Sequence, residues 1–244
     1  MRILLSNDDG INAPGLTALT TILKEFAELT VVAPEKECSA VSHALSIRQP
    51  IKIIKYSKTA NVETYVVAGY PSDCVKLALL ELLPQRPDIC LSGINIGSNF
   101  GTDVIYSGTI AAATEAALLG IPAMALSADT HDRTANFEEM AAIFAAWLKK
   151  FELSKIKKGT LLNINFPLQL SSKKFKLTKL GNSCYIEKYK SLDKNTYVLD
   201  GVFTESNDDS ATDYQAVKAG FISVTPLHFN QTDLEYPGVF GDLI

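Results

Sequence analysis

The sequence predicts an α/β fold, a mostly parallel sheet with helices on both faces followed by a β-rich C-terminal extension. Two observations predict it. Short apolar runs alternate with segments of helical period from Arg2 to Asn165, the pattern of repeated strand–helix units. After Pro167 that alternation gives way to exposed, alternating runs. The expected division is a core over 1–167 and, over 168–244, a β-hairpin extension, a last core strand and a C-terminal arm. With 244 residues, 47% of them hydrophobic, the chain has the size and apolar content of an ordinary globular protein and not of a disordered one.

Taken in order, Arg2–Ser6 is short and apolar, a buried strand, and Ala13–Phe26 carries Leu16, Leu19, Leu23 and Phe26 at helical spacing. Leu29–Ala33 is a second strand, ended by Pro34. Ile51–Tyr56 and Val62–Ala68 read as two more, the latter with β-branched alternation. Ser72–Leu83 follows Pro71 and has Asp73 in its first turn, both helix-start signals. Ile89–Ser92 is a strand, and Gly108–Leu119 an Ala-rich helix stopped by Gly120 and Pro122. Ala123–Ser127 is a strand, Asn136–Lys150 a helix and Leu161–Asn165 another strand. Lys174–Leu180 and Cys184–Tyr189 alternate as exposed strands and suggest a hairpin. Asp213–Lys218 reads as a short helix, Phe221–Thr225 as a final core strand, and the stretch from Leu227 has no strong pattern.

Composition excludes several classes. The apolar stretch from Ile110 to Ala125 is broken by Thr114, Glu115, Gly120 and Pro122, so no run reaches the ~18 residues of a membrane helix. The apolar run after Met1-Arg2 is too short for a secretion signal, and the expectation is a cytoplasmic protein without membrane contact. The net charge of −4 gives weak support for a stable nucleic-acid partner. It conceals an asymmetry. Lys149–Lys190 holds 11 Lys against Glu152 and Glu187, whereas Ser191–Ile244 holds 9 acidic residues against Lys194 and Lys218. The lysine-rich segment reads as a solvated face, or as one that draws in anions or meets the acidic tail of a second subunit. Cys38, Cys74, Cys90 and Cys184 form no CxxC pair, so neither zinc nor a disulfide framework is expected.

In parallel α/β sheets ligands bind beyond the carboxyl ends of the strands, and the informative motifs fall there. The first strand runs into Asn7-Asp8-Asp9-Gly10. Two carboxylates ~4 Å apart at an effective dielectric near 20 repel by roughly 4 kcal/mol, a cost a bound cation removes. Capping of the next helix explains one of them and leaves the other unexplained. The strand at Ile89 runs into Gly93-Ile94-Asn95-Ile96-Gly97-Ser98-Asn99-Phe100-Gly101, a Gly- and Asn-rich loop suited to a ligand or to a plain turn. It is neither a P-loop nor a clean dinucleotide fingerprint. Tyr106-Ser107-Gly108-Thr109 opens the alanine helix, where hydroxyls and free N–H groups suit a phosphate, or Ser107 simply caps the helix. In Pro34–His43, Ser39, Ser42 and His43 read alone as ordinary loop residues. His131 and His228 stand isolated, and no Ser/His/Asp triad spacing exists.

Asn7-Asp8-Asp9-Gly10, the Ser39 loop, Gly69–Lys76 and Ser92–Gly97 together resemble the SurE family, metal-dependent 5'-nucleotidases named for stationary-phase survival. The likeness continues through Asp103, Tyr106–Thr109, Asn163-Ile164-Asn165, Thr212-Asp213 and Ser223–Leu227, with Tyr70 standing where the family usually has a smaller residue. The resemblance implies a Rossmann-like catalytic core and a divalent cation held by Asp8, Asp9, Ser39 and Asn95. It also implies a phosphate pocket from Asn99, Ser107, Gly108 and Thr109, and dimers or tetramers built through the C-terminal extension. An all-oxygen ligand set suits Mg²⁺ or Mn²⁺, with Ca²⁺ able to stand in within a crystal. The expected reaction is hydrolysis of nucleoside monophosphates, 5' and by extension 3', and of short polyphosphate, with Asp8 or Asp9 as general base toward a water. A non-catalytic, metal-dependent nucleotide-binding module is the alternative. A receiver domain lacks an acceptor Asp at Cys90–Gly93, and Asp8-Asp9 occupies the place where a dinucleotide enzyme needs glycines.

Overall fold

The computed structural model describes residues 1–170, 172–182, 185–203 and 211–232. Its centre is β1 (Arg2–Ser6), an apolar strand buried on both faces. It pairs in parallel with β2 (Glu28–Pro34) on one side and β5 (Ile89–Ile96) on the other. Strands β3 (Lys52–Lys58) and β4 (Val62–Ala68) extend the sheet beyond β2, β3 antiparallel at the edge. On the far side lie β6 (Ala123–Ala128), β7 (Thr160–Phe166), β11 (Ile222–His228) and β8 (Phe175–Leu177), giving the order β3-β4-β2-β1-β5-β6-β7-β11-β8. The sheet is mostly parallel, with helices on both faces, as the alternation predicts.

Helix α1 (Pro14–Leu23) packs with α4 (Phe137–Leu148) on one face, over Ile3, Leu5, Ile89, Leu91, Met124 and Leu126. Helix α2 (Pro71–Leu77) packs with α3 (Gly108–Leu118) on the other, over Leu4, Val32, Cys90 and Ala125. Strand periodicity accounts for this split, since alternate residues of each strand face opposite helical layers. Where chain order reverses, between β1 and β5, their carboxyl ends open a crevice.

The differences from the expected elements are local. The helix expected over Ser72–Leu83 divides into α2 and a wider π-helical turn, Ala78–Leu82. The hairpin joins β9 (Tyr185–Ser191) to β10 (Tyr197–Phe203), not Lys174–Leu180 to Cys184–Tyr189. Its polar turn is closed by Leu192 N–H donating to Thr196 O at 2.9 Å and Asn195 N–H to Asp193 Oδ1 at 2.9 Å. β8 lies parallel to β11 in the main sheet instead, because its apolar residues have the last strand to cover. Cys184 lies outside the described residues; of the arm expected from Leu227, Leu227 and His228 belong to β11 and residues 233–244 lie outside the described residues. Strand β11 runs on through Pro226, tolerated there because β8 reaches only Val224 and leaves an open edge. Short α5 (Asp213–Lys218) packs on β11.

Candidate active site

The crevice is built from three loops that come after β1, β2 and β5 and from the first turn of α3. Just past β1, Asn7 is fully buried and donates Nδ2–H to Gly10 O at 2.9 Å, closing a tight turn. That turn fixes Asp8 and Asp9. Asp8 is 6% exposed and meets the start of α3, where Thr109 donates its N–H to Oδ2 at 3.0 Å and its hydroxyl to Oδ1. The helix N-terminus, with its partial positive charge, faces an anion supplied by the protein itself. Close approach requires Gly108, since a Cβ there would lie 2.8 Å from Asp8 Cβ and 3.0 Å from its Oδ2. Ser107 caps α3 by accepting the Ile110 N–H at 3.1 Å, and its hydroxyl hydrogen stays available for another acceptor.

Asp9 turns toward β5, where Oδ2 accepts the Ile96 N–H at 2.9 Å. The pairing of β5 with β6 slips between Ser92 and Asn95, a bulge that re-aims the end of the strand. Gly93 makes it possible: its φ is +128°, and a Cβ there would sit 2.1 Å from Leu126 O. Asn95, half-buried, donates Nδ2–H to Gly97 O at 2.8 Å, so its carbonyl oxygen is the end suited to ligation. The Ser39 loop is tied to the pair by Cys38 N–H donating to Asp8 O at 2.7 Å. Ser39 is exposed, and its hydroxyl donates to Glu37 Oε1 at 2.7 Å. The same loop is fastened further on by Ser42, whose N–H reaches Tyr106 O at 2.9 Å, and by His43, whose Nε2 lies 2.9 Å from buried Glu115. Asn99, 6% exposed, sits past β5 with Nδ2 on Ser127 Oγ at 2.7 Å.

Electrostatics separate the two acids. Burial pushes the Asp8 carboxyl above its ordinary value, against the opposing Thr109 hydrogen bonds. Asp9 is pushed up to about 6, by burial first, against the Ile96 hydrogen bond, and further by the charges of Asp8 and Glu37. The cation favouring its ionised form, Arg133, is more than half exposed and pairs with Glu37 at 3.6 Å. Two neighbouring carboxylates held without an adequate countercharge fit a cation site. The neighbouring loops carry further oxygens, the Ser39 hydroxyl next to Cys38, whose N–H donates to Asp8 O, and the Asn95 amide next to Ile96, whose N–H donates to Asp9, the chemistry of a hard divalent ion. Among the described residues no three of His, Cys, Asp and Glu cluster as a metal site, so these neutral oxygens are needed to complete a ligand set.

The structure thus gathers Asp8, Asp9, Asn95, the Ser39 loop, Ser107, Gly108 and Thr109 around one crevice, with both Thr109 donors engaged by Asp8. Glu37 and Arg133 were missed in the sequence. Glu37 was legible as an acid two residues before Ser39. Arg133 lies on the loop after β6 and carries no local signal beyond that loop's place at the same sheet edge.

The family described as Survival protein SurE matches this chain over residues 3–187. The 5'-nucleotidase SurE of Thermoanaerobacter sp. (strain X514) is 43% identical over 240 residues, 96% of this chain and 94% of that protein. The 5'-nucleotidase SurE of Caldanaerobacter subterraneus subsp. tengcongensis is 41% identical over 241 residues, 96% of this chain and 93% of the relative. The crystal structure of the SurE protein from Aquifex aeolicus superimposes with a TM-score of 0.84 at 35% identity, covering 98% of both chains.

Proposed function

This chain belongs to the SurE family, and from that premise we propose that it is a metal-dependent 5'-nucleotidase that releases phosphate from nucleoside monophosphates. The observation that carries the reading is the pair Asp8–Asp9 at the tip of β1, Asp8 buried and Asp9 half-buried, both carboxyls pushed up by burial, beside the first turn of α3. Asp8, Asp9, Ser39 and Asn95 would hold one divalent cation, Mg²⁺ or Mn²⁺. That ion supplies Lewis-acid polarisation of the phosphoryl group and a water acidic enough to attack it.

The protein's own residues divide the remaining work. Asp8 accepts from Thr109 on both oxygens and keeps lone pairs for the ion, so besides holding the ion it fixes the start of α3 against the crevice. Asp9 has one oxygen on Ile96 and is the better general base for the water proton. Ser107, Gly108 and Asn99 would receive the phosphoryl oxygens near the helix N-terminus as charge develops, and Thr109 acts there through Asp8. The leaving alkoxide would take its proton from solvent.

We read residues 1–167 as the catalytic core and 168–244 as the extension through which dimers or tetramers form in the cytoplasm. Among the described residues no helix is long and apolar enough to cross a membrane. Phosphate release should be measured for 5'- and 3'-mononucleotides and short polyphosphate. Activity with AMP is expected to stop with EDTA and return with Mg²⁺ or Mn²⁺. Metal-dependent AMP binding without turnover would instead make the protein a nucleotide-binding module.

A further inference from the structure

One local bond, Asp103 N–H donating to Phe100 O at 3.0 Å, closes the end of the Asn99–Gly101 segment. Buried side chains from distant elements hold it. Asn165 on β7 accepts the Asn99 N–H through Oδ1 at 2.8 Å and returns an Nδ2–H to the Asn99 carbonyl at 3.2 Å. Asn163, two residues earlier and on the same face of β7, donates to that carbonyl at 2.8 Å. At the other end, Gly101 N–H donates to Asp213 Oδ2 at 2.9 Å. The second Asp213 oxygen accepts the N–H groups of Gly181 at 3.0 Å and Tyr214 at 2.9 Å. Asn163, Asn165 and Asp213 are all fully buried.

Filling this space would need only apolar side chains. Three polar ones fix a peptide plane, because each bond is strong and directional away from water. The Asn99 amide is fixed as well, with Nδ2 on Ser127, which leaves its second N–H for a ligand. Burial pushes the Asp213 carboxyl up in spite of its three amide donors, so holding a carboxylate here costs stability that packing alone would not require.

We propose that Asn163, Asn165 and Asp213 are positioning residues for phosphate recognition, setting the Asn99–Gly101 turn and hence the angle at which Asn99 meets a phosphoryl oxygen. This rests on the reading of Asn99 as a phosphate ligand. It makes α5, beyond the catalytic core, a working part of the site, because one carboxylate grips both Gly101 of the core and Gly181 of the extension.

The test uses the full-length chain carrying Asn165→Asp, which keeps the acceptor for Asn99 N–H and loses the donor, or Asp213→Asn. Inorganic phosphate binding is measured by calorimetry with saturating Mg²⁺, Mn²⁺ affinity by electron paramagnetic resonance, and kcat and KM with AMP. Phosphate affinity and KM should each worsen about tenfold, the weight of one charge-assisted hydrogen bond, while Mn²⁺ affinity stays within about twofold of the unmutated chain. Phosphate affinity unchanged in the folded variants overturns the proposal, and so does a parallel loss of Mn²⁺ affinity, the mark of general damage. If either variant does not fold, Asn163→Leu removes one donor and carries the same test. Failure of the unmutated protein to bind phosphate or release it from AMP would strike the underlying reading instead.

Discussion

Asp9 titrates in a way that reports directly on the crevice. Burial, with the charges of Asp8 and Glu37, moves its carboxyl from 3.8 up to about 6. Between those values the folded chain retains a proton that the unfolded chain has released. Stability contributed by this group is therefore present at low pH, lost as the pH rises through the window, and constant above about 6. A gap of about two pH units at ~1.4 kcal/mol each makes the loss about 3 kcal/mol, an upper bound. Asp9→Asn removes the titration while its amide oxygen can still accept the Ile96 N–H. In EDTA at pH 7 the variant should be more stable than the unmutated chain by up to about 3 kcal/mol, roughly 6 to 12 °C in Tm for a chain of this size. Urea titration at pH 7 and at pH 4 measures it, and at pH 4 the difference should shrink to less than about 1 kcal/mol. Mg²⁺ should then raise the Tm of the unmutated chain and leave the variant unmoved. A difference of the same size at both pH values, or a variant less stable at pH 7, would refute the reasoning.

Other perturbations act on the same contacts. Gly108→Ala places a Cβ 2.8 Å from Asp8 Cβ, so AMP hydrolysis should fall by about a hundredfold or more for a displacement near 1 Å, read by kcat/KM on protein of normal circular dichroism. Thr109→Val deletes the hydroxyl donor to Asp8 and should cost about tenfold in kcat/KM, with Thr109→Ser largely restoring it. Glu115 is 2% exposed, and although burial raises it, the hydrogen bonds and charges of His43 and Lys76 hold its carboxyl below the usual range. Its stabilisation is therefore present above the unfolded value of 4.5 and lost as the pH falls below it. Glu115→Gln should cost about 2 kcal/mol at pH 7 and progressively less as the pH falls below 4.5, by urea denaturation.

The periodic part of the chain was legible because strand and helix burial leave different spacings. Leu16, Leu19 and Leu23 face one layer, and Ile3-Leu4-Leu5 is uninterruptedly apolar because β1 is covered on both sides. The acid pair was legible because two adjacent carboxylates at a strand tip demand a reason. The frame around Asn99 was harder to see. Asn163 and Asn165 announce a polar face on an otherwise apolar strand, yet the turn they hold lies more than 60 residues away. The bulge that aims Asn95 depends on Gly93 meeting the Leu126 carbonyl, a contact between strands that neither strand encodes alone. The hairpin was misjoined because Tyr197–Phe203, though β-prone, sits in a stretch dominated by charge and turn residues. The double role of α3 was also hidden, since a helix start that reads as a phosphate cradle turns out to have Asp8 on the N–H and hydroxyl of Thr109.

That last point explains how two acids can share one strand tip. Asp8 and Asp9 sit side by side past the end of β1, and the chain directs them to different anchors: Asp8 to the start of α3, Asp9 to Ile96 on β5. The first anchor carries partial positive charge and two donors, which fix Asp8 in place and offset part of its burial, though its carboxyl still lies above the ordinary value. The second offers a single N–H, which leaves Asp9 under-compensated at about 6. An arrangement that satisfied both acids internally would make a more stable apo-protein and would have little left to attract an ion. Satisfying one rigidly gives the crevice its geometry, and leaving the other short of countercharge gives it affinity for a cation. Part of the stability forgone in the metal-free crevice is recovered when an ion enters.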